Sequence, residues 1–199
     1  TGGNRERDLK TGFTSPPKFT LQSIFSYMFS PYWTLNYLFR EKFDLPFLSE
    51  YVKEGTDIKI SIADYFSNML DQNMNWEDIK DLRKKWKGVF CLKGIMSLSD
   101  VKRAHEIGVD AVMISNHGGR QLDGSRSPFD QLDEIVDYAK NKIEIICDGG
   151  IRRGTHILKA LSKGADACSG GRLYLYALAA GGQKGVTRWA PFTGVKNSS

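Results

Sequence analysis

The sequence predicts an α/β fold with a parallel sheet, on three observations. From about Val89 onward, short apolar runs alternate with helix-length runs, four pairs in succession. The apolar runs are bounded by glycine, as strands buried on both faces tend to be. Polar and basic residues collect where those runs stop: Lys93, Ser115 to Arg120, Asp148 to Arg152, and Gly171 with Arg172. Short strands alternating with helices imply βαβ units. Ligands sit at the carboxyl ends of the strands both in a TIM barrel and in a doubly wound sheet, so the pattern alone allows either. A whole barrel takes about 250 residues, so a barrel in this chain of 199 residues is expected to lack its first strands.

Residues 1–60 stand outside that rhythm. The stretch "FTLQSIFSYMFSPYWTLNYLF", residues 19–39, has no charged residue and is dense in Phe, Tyr and Trp, with Lys18 and Arg40 at its ends. Its length suits a membrane span of about 20 residues. Pro31 in the middle and the scattered Thr, Gln, Ser and Asn argue against one. An aromatic, uncharged segment with basic ends fits a membrane interface, and it equally fits an insertion packed on the protein's own surface. Residues 1–12 lack the apolar core of a signal peptide.

Residues 60–87 read as helix, with Asn75 an N-cap before Trp76-Glu77-Asp78 and an apolar stripe of Ile79, Leu82 and Trp86. The first strand is "VFCLKGI", followed by the helix "SLSDVKRAHEIG", which Ser97 or Ser99 can cap with Asp100 in its early turns. "AVMIS" and a glycine-rich loop lead to the helix "PFDQLDEIVDYAKN". "IEIICDGG" leads into "RRGTHILKALSKG", and "ADACSGG" into "RLYLYALAAGG".

The net charge of +5 comes with no long Lys/Arg cluster, so nucleic acid is not an expected partner. The densest basic stretch, Arg83-Lys84-Lys85-Trp86-Lys87, ends a helix, where cations suit the dipole. The three cysteines, Cys91, Cys147 and Cys168, lie far apart in apolar runs. They read as buried free thiols in a reducing compartment, and no metal site is expected.

The strand ends carry the chemistry. A histidine moves protons near neutral pH, and an arginine grips a carboxylate through two parallel hydrogen bonds. His117 and Arg120, separated by the flexible pair Gly118-Gly119, therefore suit proton abstraction from a substrate bearing a carboxylate. Lys93, at the end of an otherwise apolar strand, faces solvent at the rim or an anion inside the site. Asp148-Gly149-Gly150-Ile151-Arg152-Arg153-Gly154 offers backbone N–H groups and guanidinium groups at a helix start, and Gly170-Gly171-Arg172 repeats the recipe one unit later. Together they make a candidate phosphate cradle.

At these residues the chain resembles a known family. "LKGI", "SNHGGRQLDG", "DGGIRRGT" and "GGRLYLYALAAGG" are similar to signature segments of the FMN-dependent α-hydroxy acid dehydrogenase/oxidase family, which includes glycolate oxidase and the L-lactate and mandelate dehydrogenases. The resemblance runs from residue 3 to about residue 186. It implies a TIM (β/α)8 barrel with FMN at the carboxyl ends of the strands. It implies His117 as catalytic base, Arg120 and Arg5 as substrate-binding residues, and Lys93 beside the flavin edge where negative charge collects on reduction. Ser115 is implied as a further flavin contact, and Asp148, Gly149, Gly150, Arg152, Gly171 and Arg172 as contacts of the FMN ribityl and phosphate. Residues 3–50 look closest to the membrane-associated branch, in which the insertion contacts the membrane.

The expected activity is FMN-dependent oxidation of an L-2-hydroxy acid, L-lactate above all, to the 2-oxo acid, with a quinone or cytochrome as electron acceptor. A soluble oxidase using O2, an inactive FMN- or phosphate-binding fragment, and another FMN-binding barrel such as an isomerase are the alternatives. The resemblance further implies a homo-oligomer in the cytoplasm, peripheral on the inner face of the cell membrane. The expected organisation is an aromatic insertion over 1–60, the C-terminal part of the barrel over 61–186, and an atypical tail over 187–199. The first strands, two active-site tyrosines and an aspartate pairing with the histidine have no counterpart in the chain. Gly170 stands where the family has an apolar residue.

Overall fold

The computed structural model describes residues 10, 20–40, 71, 73–122 and 124–189. The chain divides into two units, Thr1–Met74 and Asn75–Ser199. Arg5, the boundary expected near residue 60 and residues 190–199 lie outside the described residues.

In the first unit the aromatic stretch forms two helices, α1 (Leu21–Met28) and α2 (Pro31–Phe39). Thr20 caps α1: its Oγ1 accepts the Ser23 N–H at 3.2 Å, and Ser23 Oγ accepts the Thr20 N–H at 2.9 Å. Each satisfies a backbone donor that helix geometry leaves unpaired. Pro31 begins α2, where its missing N–H costs nothing and its fixed φ suits the helix. The proline that spoils a single span thus starts a second helix. Tyr27, Trp33 and Tyr37 stack in a ladder with ring centroids 5.3 and 5.2 Å apart. Thr34 Oγ1 donates to the Tyr27 carbonyl at 2.8 Å, tying the two helices together. Phe25, Phe29, Tyr32 and Phe39 remain exposed. No helix among the described residues is long and apolar enough to cross a membrane.

The second unit opens with α3 (Trp76–Lys85), which starts at the expected cap. Asn75 Oδ1 accepts the Glu77 N–H, and Asp78 Oδ2 accepts the Asn75 N–H, both at 2.8 Å. The helix expected over 60–87 is interrupted: residues 71 and 73–75 are not helical. Asp71 Oδ1 accepts the Asn73 N–H at 2.8 Å, a local turn that competes with helix just ahead of the cap.

Among the described residues four strands follow, β1 (Cys91–Ile95), β2 (Ala111–Ile114), β3 (Glu144–Asp148) and β4 (Ala167–Ser169). They alternate with α4 (Leu98–Ile107), α5 (Pro128–Ala139), α6 (Gly154–Ser162) and α7 (Arg172–Trp189). Ser97 caps α4, and Ser127 followed by Pro128 caps α5. The helix α7 runs through 187–189 and bends at Gly182, whose φ of +57 and ψ of −146 no helix contains.

All strand pairs are parallel, and their order in space is their order in sequence. A doubly wound sheet reverses its order at a switch point; strands in unbroken succession build the wall of a TIM barrel. The second unit is an arc of such a barrel. Its core lies between the sheet and its helices, where Val101, Ala104, Val112, Ile114, Leu132, Ile135, Ala139, Ile145 and Cys147 are buried. Burial on both faces, expected for every strand, holds for the inner strands and fails for the outer ones: β2 and most of β3 are buried, while β1 and β4 are edge strands with exposed residues. The cysteines follow that pattern. Cys147 is buried, Cys168 half-buried and Cys91 exposed, so only the first matches the buried thiol expected of all three. Burial pushes the Cys147 thiol up to about 11, which leaves it protonated and unreactive.

Candidate active site

Parallel strands in sequence order bring three loop starts, and Lys93 from the middle of β1, to one end of the sheet. Lys93 lies in β1, Ser115 to Arg120 follow β2, Asp148 to Arg152 leave β3, and Gly170 to Arg172 leave β4. The register slips between Lys93 and Ile95, at a Gly94 with φ +96. Such irregularities re-aim side chains at sheet rims.

Hydrogen bonds tie these loop starts together. The buried Ser115 hydroxyl donates to Asp148 Oδ2 at 2.5 Å and accepts the His117 N–H at 3.1 Å. Asn116 Oδ1 accepts the Gly119 N–H at 2.9 Å, and its Nδ2 donates to the Arg126 carbonyl at 3.2 Å. Residues 117–119 all have positive φ, +57 at His117, +66 at Gly118 and +73 at Gly119. A left-handed conformation costs a β-carbon residue on the order of 1–2 kcal/mol. The backbone bonds to Ser115 and Asn116 hold His117 there. Arg172 Nη2 reaches across from the loop after β4 and donates to the Gly118 carbonyl at 2.7 Å.

His117 itself is exposed, with its Nδ1 3.2 Å from Lys93 Nζ. An ammonium only donates, so this contact needs a lone pair on Nδ1 and the ring neutral. Desolvation, then the charges of Lys93 and Arg120, lower the His117 pKa from its ordinary value, against an opposing pull from Asp148. The imidazole is therefore unprotonated at neutral pH, the state a base requires. Arg120 is exposed, and among the described residues its side chain makes no hydrogen bond or ion pair, which leaves its fork of donors open to a carboxylate.

The start of α6 differs from those of α3, α4 and α5. Those three are capped by Asn75, Ser97 and Ser127 and carry Asp or Glu in the first turn. The start of α6 has no capping side chain and no acidic residue, and α7 likewise has no acidic residue in its first turn. Uncapped N–H groups at the positive end of a helix attract an anion. A β-carbon at Gly150 or Gly171 would meet nothing within 4 Å, so both face open space. With Arg152 and Arg172 beside them, these residues fit the phosphate ester of a nucleotide cofactor such as FMN.

The structure thus brings Lys93, Ser115, His117, Asp148 and Arg172 into one bonded cluster. Arg152 stands on the adjoining loop, and Arg120 acts on the cluster through its charge. Two contributors are added to those singled out above. Asn116 shapes the histidine loop, and a short polar side chain that bonds its own backbone is a turn signal. His156, in the first turn of α6, bonds the loop that carries Gly150 and Arg152. A polar residue two or three places into a helix often reaches back in this way. A cleft lined by Asp110, Lys140, Lys142, Glu144 and Asp166 opens at the opposite end of the strands, where Asp110 and Asp166 accept the Phe90 and Ile145 N–H groups.

Known proteins resemble this chain. The model of the FMN-dependent dehydrogenase family matches residues 1–192. An L-lactate dehydrogenase of Alcaligenes faecalis is 37% identical over 185 residues, covering 92% of this chain and 48% of its own length. One from Acinetobacter baumannii is 37% identical over 186 residues, with 93% and 48% covered. Among solved structures, the monotopic membrane protein (S)-mandelate dehydrogenase superposes with a TM-score of 0.84 at 35% identity, over 98% of this chain and 51% of that one. A mandelate oxidase bound to benzoyl-formic acid superposes with a TM-score of 0.59 at 34% identity, over 66% of this chain and 43% of that one. The chain spans about half the length of the curated relatives it matches.

Proposed function

The chain belongs to the FMN-dependent dehydrogenase family, and on that premise we propose that it carries the proton-transfer and phosphate-binding part of an L-2-hydroxy acid dehydrogenase, with L-lactate the favoured substrate. The observation that supports this most is the cluster at the strand ends: a neutral histidine held in a strained backbone, with Lys93 on its ring and the arginines around it. His117 takes a proton from the hydroxy acid at Nδ1, the nitrogen that Lys93 releases when substrate arrives, and Arg120 holds the substrate carboxylate by paired hydrogen bonds. Arg5, outside the described residues, is assigned to the same carboxylate. Ser115 fixes Asp148 and the His117 backbone, so one hydroxyl sets the height of both. Gly149, Gly150, Arg152, Gly171 and Arg172 form the cradle for the FMN phosphate. FMN, when bound, accepts the substrate's electrons. Lys93 serves two partners: the His117 lone pair, and the negative charge that a reduced flavin would place near it.

The exposed aromatic helices favour a dehydrogenase at a membrane over an oxidase using O2. The monotopic dehydrogenase superposes over 98% of this chain and the mandelate oxidase over 66%. In this proposal residues 19–39 rest on the inner face of the cell membrane, and a quinone or cytochrome takes the electrons. The enzyme assembles as a homo-oligomer, with mass measured in solution as its check.

The test is anaerobic mixing of the FMN-loaded protein with L-lactate. Bleaching of the flavin's visible band, abolished in His117→Gln, is the expected result. Bound FMN that fails to bleach with lactate, glycolate or mandelate would overturn the assignment and leave a flavin-binding protein without this chemistry.

A further inference from the structure

His156 is the one described side chain that bonds the turn between β3 and α6. Its Nδ1 lies 3.2 Å from the Arg152 N–H, which donates to it, and 3.1 Å from the Gly150 carbonyl. One ring nitrogen cannot accept and donate at once. With its lone pair free, Nδ1 accepts from Arg152; with a proton, it donates to Gly150. Either form closes the same turn, because the two partners are two residues apart. The turn needs such a clasp. Gly149 and Gly150 have φ of +111 and +73, so two successive residues there have the freest backbone available. Ile151 is buried and pins the middle of the turn, whereas Arg152 and Arg153 on its far side are exposed. No side chain caps the helix that follows. His156 reaches back from inside that helix, so helix start and turn become one rigid piece.

We propose that His156 is a positioning residue for phosphate binding: through Nδ1 it holds the Gly150–Arg152 turn in the shape that presents Arg152 and the uncapped start of α6 to the phosphate of the flavin. This rests on the FMN assignment above and adds the residue that preorganises its phosphate subsite. Preorganisation raises affinity by removing the cost of ordering the turn on binding.

The variants that test it are His156→Ala, which removes the clasp, and His156→Asn, whose amide places a donor and an acceptor where Nδ1 stands. Binding of FMN and of riboflavin, which lacks the phosphate, is measured by quenching of flavin fluorescence with the whole chain. In His156→Ala, FMN affinity is expected to fall about tenfold, the weight of one lost hydrogen bond in an ordered turn. Riboflavin affinity stays within about twofold, and His156→Asn restores FMN binding, since an amide can make whichever of the two bonds the ring makes. Equal losses for the two flavins, or no loss for FMN, would overturn the proposal. Hydrogen exchange at the Arg152 amide, read without ligand, keeps the two assignments apart. Faster exchange in His156→Ala together with no FMN binding by the unsubstituted chain removes the FMN assignment and, with it, the phosphate role. Unchanged exchange at Arg152 removes the clasp whatever the flavin does.

Discussion

At the scale of single residues, the contacts at the strand ends keep His117 neutral and fixed. Partial desolvation, Lys93 and Arg120 all disfavour its protonated form, so its pKa lies below the ordinary histidine value. The neutral base therefore persists to lower pH than a free histidine would. The rate of flavin reduction by hydroxy acid should rise with pH through an inflection below about 6.5 and be flat above it. Because Lys93 is the second cause of the shift, Lys93→Met should move that inflection upward, which stopped-flow pH profiles of the two proteins would read. Gly118 gives a second prediction. Its φ is +66, and a β-carbon there would press on the Arg172 guanidinium that bonds its carbonyl. Gly118→Ala should weaken FMN binding several-fold and destabilise the fold by about 1 kcal/mol, seen in flavin titration and urea unfolding. His117, Arg120, Lys93 and Arg172 were legible as residues because basic groups at strand ends are unusual in apolar surroundings. The contact of Lys93 with the His117 ring was not legible, since it joins residues 24 positions apart.

At the scale of elements, local rules governed where helices begin. Asn75, Ser97 and Ser127 each cap a helix, whereas the start of α6, beside the glycine–arginine turn, has no side-chain cap. Packing governed what each helix is worth. Leu132 in α5 is fully buried, while Leu158 in α6 is 67% exposed. Leu132→Ala should cost about 2–5 kcal/mol, whereas Leu158→Ala should cost about 0.5 kcal/mol or less. Urea midpoints of the two variants check the contrast. The helix expected over 60–87 shows where local reading went astray: its apolar spacing was helical, but Asp71 closes a turn on Asn73 before the Asn75 cap. A short polar side chain bonding its own backbone outweighed the periodicity.

At the scale of the molecule, two surfaces stand out. The helices α1 and α2 expose Phe25, Phe29, Tyr32 and Phe39 around a stacked ladder of Tyr27, Trp33 and Tyr37. Burying apolar rings in a lipid interface contributes about 1–2 kcal/mol each. Replacing Phe29 and Tyr32 by serine should release the protein from lipid vesicles in a flotation assay, and binding by the unsubstituted protein should persist at about 0.5 M salt, where exposed charge attraction is screened. The second surface is the edge of the sheet. Among the described residues β1 and β4 are its outer strands and expose residues, whereas β2 and most of β3 are buried.

The sequence by itself determined the βαβ rhythm, the caps, the family resemblance and the identity of the polar residues at the strand ends. Each of these depends on neighbours within a turn or two, which the sequence displays. The tertiary structure alone decided that the strands run in unbroken order as a barrel wall, because periodicity is the same in a barrel and a doubly wound sheet. It alone divided the aromatic stretch into two helices, the first capped by Thr20 and the second begun by Pro31, and left Cys91 on an exposed edge. It alone brought His156 onto the Arg152 turn and Arg172 onto the Gly118 carbonyl. Those contacts arise when loops distant in the chain are carried to one rim by parallel pairing, and no local pattern encodes which loops will meet there.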